Sequence, residues 1–135
     1  MTLTARDILR LQGVHPDLVN VVQVAANKSP LKFFVIEGLR TAEKEAEAVA
    51  TGHSQAKHSR HLGGFAVDLG ILINDVLTWD EKWYAQLSGV MLGVAADLKV
   101  PLVWGGSWKT LRDCDHWELN RNFYPDAPQP INKGL

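Results

Sequence analysis

The chain has 135 residues, 46% of them hydrophobic, and a formal net charge of −1. That apolar share argues against disorder, the length suits one domain with a buried core, and a near-neutral charge without a basic run gives no electrostatic case for nucleic acid or a lipid surface. A single cysteine, Cys114, excludes an internal disulfide, and no stretch approaches the ~20 apolar residues of a membrane span.

Thr4-Ala-Arg-Asp-Ile-Leu-Arg-Leu predicts a short capped helix with Ile8, Leu9 and Leu11 on its apolar side and Gly13 at its end. The segment carries an acid and has no apolar stretch of signal-peptide length. Pro16 opens a second helix, in which Leu18, Val21, Val22 and Ala25 recur at helical spacing and Ser29-Pro30 is the stop. Phe33 to Ile36 is a β-rich apolar run ending at Gly38, which predicts a buried strand. Thr41 is positioned to cap a helix that ends by Gly52, followed by a polar loop from His53 to Leu62.

Phe65 to Leu69 predicts the next strand, with Ile71 to Leu77 continuing as a hairpin around Asn74-Asp75, although the favoured Asn-Gly pair is missing. Asp80 caps a long expected helix through about Leu98, with Trp83, Leu87, Val90, Met91, Val94 and Leu98 on one face. Pro101 to Trp104 reads as a strand and Gly105-Gly106 as a turn. Asp115-His-Trp-Glu-Leu predicts a last strand, with His116 and Glu118 on one side and Trp117 and Leu119 on the other. The tail, with Pro125, Pro128 and Pro130, reads as extended. Helices and strands in this order, without repeats or linkers, give an α+β class and one domain over residues 1–135.

One constellation carries chemistry. His61 and Asp68 flank a glycine turn, close enough for one loop and the start of one strand to bring both side chains to a point. His116 is the best third partner. Two neutral imidazoles, one carboxylate and an open fourth position are the donor set of a catalytic zinc. A hydrolytic site also needs a base, and spacing leaves Asp113 and Asp115 both open. On a regular strand Asp113 lies on the face opposite His116, unless a turn at Cys114 intervenes, and Asp115 points away.

Ser59-Arg-His61-Leu-Gly-Gly64-Phe-Ala66-Val-Asp68 resembles the S-x-H-x-x-G-x-A-x-D signature of the M15 zinc peptidases, which include D-alanyl-D-alanine carboxypeptidases and dipeptidases and phage L-alanyl-D-glutamate endopeptidases. Asp113-Cys-Asp-His116 resembles their D/E-x-x-H element. Val35-Ile-Glu-Gly38-Leu-Arg40-Thr and Trp104-Gly-Gly-Ser-Trp108 also match in order, and Gly13-Val-His-Pro-Asp-Leu-Val resembles the phage endolysin branch. The matches run from about Val35 to Leu119.

The resemblance implies a small domain of the hedgehog and DD-peptidase type, an antiparallel sheet with flanking helices. It implies His61, Asp68 and His116 as Zn2+ ligands, Asp113 as general base and acid, Arg40 on a substrate or oxyanion oxygen, and Ser59 hydrogen-bonding substrate. The expected partner is the peptidoglycan stem peptide, cut at L-alanyl-D-glutamate by a monomeric endolysin with no wall-binding domain. That enzyme waits in the host cytoplasm and reaches the wall through a holin-made lesion. The alternatives are D-alanyl-D-alanine cleavage or a non-catalytic zinc-binding module.

Two departures bear on substrate contacts. Lys44 and Glu45 stand where many relatives carry Gln, and Ser107 stands where an acid follows Trp-Gly-Gly. Simpler readings compete at several positions. Arg40 can pair with Glu37, Asp113 can cap a turn, and His53 and His58 suit a surface loop. His15 and Cys114 suit structural roles, and Trp104, Trp108 and Trp117 suit the core, although Trp104 or Trp108 can line a cleft.

Overall fold

The computed structural model describes residues 1–40 and 59–125. The helix expected from Thr41, the loop through His58 with Lys44, Glu45 and His53, and the tail from residue 126 lie outside the described residues.

Helix α1 (Ala5–Arg10) begins at a capping box. The Thr4 hydroxyl accepts from the Asp7 N–H, and the Asp7 carboxylate accepts from the Thr4 N–H in return. The expected apolar side is wrong in two places. Ile8 and Leu9 are 52% and 62% exposed, whereas Asp7 is buried. The reason is that Asp7 also accepts from the Val35 N–H at 2.9 Å, so the helix turns its polar cap toward the neighbouring strand. Helix α2 (Pro16–Lys28) keeps the expected stripe, with Leu18, Val21, Val22 and Ala25 fully buried. His15 has the expected structural role: its ring nitrogen caps α2 by accepting from the Asp17 N–H.

The sheet is antiparallel throughout. Its order is β1 (Lys32–Glu37), β2 (Ala66–Ile73), β5 (His116–Leu119) and β4 (Leu102–Trp104), and β3 (Val76–Thr78) pairs the far end of β2. The hairpin forms at Asn74-Asp75 without glycine because both residues adopt positive φ, 52° and 63°, which small polar side chains tolerate. Strand β1 is not buried on both faces as expected. Phe33 and Val35 face the core, while Phe34 and Ile36 are only partly covered.

Helix α3 (Glu81–Asp97) starts at Asp80, whose carboxylate accepts from the Lys82 N–H. Its buried stripe is Tyr84, Leu87, Ser88, Met91, Val94 and Ala95. That stripe is rotated from the expected one: Trp83 and Val90 are only partly buried, and Leu98 is the C-cap. Tyr84 explains the rotation, because its hydroxyl donates to the Thr78 carbonyl and accepts from the Ile71 N–H. Helices α2 and α3 cover one face of the sheet, on Val67, Leu69, Ile71, Trp117 and Leu119. Each such side chain contributes roughly 1.5–3 kcal/mol by leaving water. The alternate residues Asp68, His116 and Glu118 point to the other face.

Candidate active site

Three short segments meet on that second face. The first is a one-turn 3-10 helix, Arg60–Gly63, started by Ser59, whose hydroxyl accepts from the His61 N–H. Gly64 ends the turn at φ 76° and lies so close to the Gly13 carbonyl that a Cβ there would stand 2.3 Å from its oxygen. The Gly64 carbonyl accepts from the His15 N–H at 2.8 Å, so the start of α2 braces the turn that carries His61.

The second segment is β2, which supplies Asp68 opposite His116 of β5. The third is the chain before β5. Strand β5 starts at His116, not at Asp115 as expected, and residues 114–115 form a turn. That turn brings Asp113 round to His116, with Oδ2 4.0 Å from Nδ1. Asp115 does not point away either, because it lies in the turn and escapes strand alternation. Its carboxyl, that of Asp113 and that of Asp68 lie within 4.8 Å of one another. Gly105 packs against the Asp113 backbone, and the Trp104 indole donates to the Cys114 carbonyl at 2.7 Å, so both hold this turn.

The donor atoms converge. His61 Nε2 lies 3.2 Å and His116 Nδ1 3.0 Å from Asp68 Oδ1. Ligands on a tetrahedral zinc with bonds near 2.0–2.1 Å are roughly 3.3 Å apart. The remaining ring nitrogens are already committed. His61 Nδ1 donates to the Gly38 carbonyl at 2.8 Å, and His116 Nε2 meets Glu118 Oε1 at 2.9 Å. Such partners fix which nitrogen faces a metal. The donor set therefore fits a zinc ion.

The electrostatics also call for a cation. Burial opposes the charge on His116, but hydrogen bonds to Asp68 and Glu118, with the charges of Asp68 and Asp113, outweigh it and raise its pKa to about 10. Burial likewise opposes ionisation of Asp68, yet hydrogen bonds from His116 and His61 hold its carboxyl far below the usual range. Asp115 goes the other way. Burial, a hydrogen bond to Asp113 and the neighbouring charges push it up to about 8, so it carries a proton at neutral pH. In the absence of metal the cluster keeps a proton on His116 to balance its acids, and a divalent ion can take over that task.

Arg40 enters through an irregularity in β1. Val35 pairs with Leu69 and Glu37 with Asp68, so the intervening Ile36 is a β-bulge. The bulge turns Glu37 to the face of Asp68. Glu37 then grips Arg40 at both oxygens, at 2.6 and 2.8 Å, and the Arg40 N–H donates to the His61 carbonyl. Among the tryptophans, Trp117 is core and stacks on Trp104, while the half-buried Trp108 ring stands 5.4 Å from His116 at the edge of the site. The free thiol of Cys114 packs against the core.

Spacing left Asp115 beside Asp113 as a candidate base, offered Glu37 as a partner of Arg40 and put Glu118 on the face of His116, but it assigned Glu37 and Glu118 no part in the site. For Glu118 a signal existed: it follows His116 by two in a strand and so shares its face.

Residues 1–129 match the family described as phage L-alanyl-D-glutamate peptidase. The chain belongs to that family. The L-alanyl-D-glutamate peptidase of Escherichia phage T5 is 30% identical to it over 121 residues, which are 85% of this chain and 86% of that protein. That of Listeria phage A118 is 30% identical over 94 residues, which are 70% of this chain but 32% of that longer protein. The crystal structure of Serratia marcescens L-Ala D-Glu endopeptidase ChiX has a TM-score of 0.86 and 40% identity, covering 93% of this chain and 95% of the other. The vancomycin-resistance D,D-dipeptidase VanXYg shares the fold at a TM-score of 0.52 and 15% identity, over 78% of this chain and 50% of that one. The expected antiparallel α+β peptidase fold is the one found.

Proposed function

We propose that this phage-type peptidase hydrolyses the L-alanyl-D-glutamate bond of the peptidoglycan stem peptide with a zinc ion held by His61 Nε2, Asp68 and His116 Nδ1. The supporting observation is the convergence of those three donors while each imidazole's other nitrogen is tied elsewhere. Zinc held there supplies a Lewis acid for the scissile carbonyl and makes water nucleophilic at neutral pH.

Asp113 is the base in this reading. Its side chain is 46% exposed and lies beside His116. It takes a proton as water adds to the carbonyl carbon, and returns it to the amine as the C–N bond breaks. Protonated Asp115 hydrogen-bonds the Asp113 carboxylate and holds it in place. Arg40, with its plane fixed by Glu37, suits a carbonyl or carboxylate oxygen of the substrate. The Ser59 hydroxyl accepts from the His61 N–H and keeps its own proton for substrate. Among the described residues no helix is long and apolar enough to cross a membrane. The proposal extends to the chain acting as one monomeric catalytic domain on the cell wall, delivered from the host cytoplasm through a holin-made lesion.

Digestion of purified peptidoglycan followed by end-group analysis tests the bond. New N-terminal D-glutamate is expected, and free D-alanine without it overturns the assignment. Asp113→Ala should keep stoichiometric zinc and lose about 10²–10⁴-fold in rate. Unchanged turnover would remove Asp113 from its role.

A further inference from the structure

Among the described residues, the mechanism above leaves buried Glu118 and Arg60 beside the donors unused. Glu118 is 5% exposed, on the same face of β5 as His116, and its Oε1 meets His116 Nε2 at 2.9 Å. A carboxylate buried this deeply is costly unless it is paired. Its other oxygen, Oε2, lies 3.6 Å from Arg60 Nε and 3.4 Å from Arg121 Nε.

Arg60 is the residue immediately before His61 and is itself buried. It donates to the Leu119 carbonyl at 2.8 Å and lies over the Phe65 ring, with Cζ 4.3 Å from the centroid. The pair therefore joins the turn that carries one imidazole to the strand that carries the other.

We propose that Glu118 is a positioning residue. By accepting from His116 Nε2–H it orients the ring so that Nδ1 faces Asp68 and His61, and Arg60 holds Glu118 for that task while linking the two histidine-bearing segments. This rests on the reading of His61, Asp68 and His116 as a metal site. The geometry distinguishes it from a packing role. A carboxylate retained only for packing has no need of a ring nitrogen at 2.9 Å, and a well-packed apolar residue would spare the cost of burying its charge.

The test measures zinc affinity by competition with a chromophoric chelator, alongside melting of the metal-free protein. Glu118→Ala should weaken zinc binding by about 10–100-fold, the usual range for loss of such a partner. Glu118→Gln should recover most of it, because the amide oxygen still accepts from Nε2–H. A fall in melting temperature with unchanged zinc affinity of the folded protein overturns the positioning role, as does a Gln variant as weak as the Ala variant. If neither variant folds, ¹⁵N imidazole spectra of the zinc-loaded wild type decide. The expected proton on His116 is at Nε2, and a proton at Nδ1 overturns the proposal. Wild-type protein that takes up no zinc overturns the metal reading itself, whereas zinc uptake unmoved by Glu118→Ala sinks the positioning role alone.

Discussion

Strands β2 and β5 have two faces built from alternate residues of the same few segments. Val67, Leu69, Ile71, Trp117 and Leu119 go to one, under α2 and α3. Asp68, His116 and Glu118 go to the other, where charges are buried against each other. The first face is held by area, which is non-directional. The second is held by specific donor and acceptor pairs, so a displacement of about an ångström changes what it can bind. A sheet can thus carry stability on one side and leave the other free for a costly cluster of charge.

The largest break in that comparison comes from the apolar face. Leu18→Ala, at a fully buried position of α2, should lower unfolding free energy by about 2–5 kcal/mol in urea titrations. Turnover per folded, metal-loaded molecule should stay near wild type. A large loss of turnover in the fully folded fraction would show that the two faces are not separable.

The next prediction concerns pH and the charged face. In the metal-free protein the His116 pKa stands at about 10 against an ordinary 6.5. Its stabilisation is present in full below pH 6.5 and is lost as pH rises toward 10. Asp115, raised from 3.8 to about 8, has the same sign: folding resists its ionisation, so stability falls across that interval. Asp68 and Glu118 are depressed, and their contribution is lost as pH falls through the ordinary carboxylate range. The melting temperature of the metal-free protein should therefore decline from about pH 6.5 toward 10. On the proposed metal reading zinc would displace the His116 proton, so the stabilisation that added zinc gives should grow over the same interval. A flat metal-free profile would contradict the charge balance described for this face.

The same contrast explains what could be read from the sequence. Periodicity located α2, β1, β2, the hairpin, α3 and the alternation of β5, because area burial leaves a repeating pattern. The convergence of His61 with Asp68 was legible from a glycine turn of fixed length. Features set by single hydrogen bonds leave no pattern. Asp7 is buried because one N–H of β1 needs it, Ile36 bulges, and Asp115 turns inward because the strand starts one residue late. The resemblance to a family pointed to Asp113 where spacing left two candidates. It implied nothing about Glu37 or Glu118; spacing offered Arg40 as a partner of the first and His116 as a face-mate of the second, and only the contact of Glu118 with Arg60 waits for the His61 turn and β5 to meet.

Ser59 belongs to both descriptions, and the smallest prediction separates them. Its hydroxyl oxygen caps the His61 turn, a contact whose loss at helix starts costs typically about 1 kcal/mol. Four residues of 3-10 helix give little cooperative length, so Ser59→Ala should fall at the lower end of that effect in a urea titration. If the hydroxyl also donates to substrate, KM for wall fragments should rise while zinc affinity changes little, since His61 Nδ1 remains tied to the Gly38 carbonyl. A stability loss with KM unchanged would leave Ser59 as a cap alone. The hydrogen bond that shapes the turn would then be the whole reason for a serine two residues before His61.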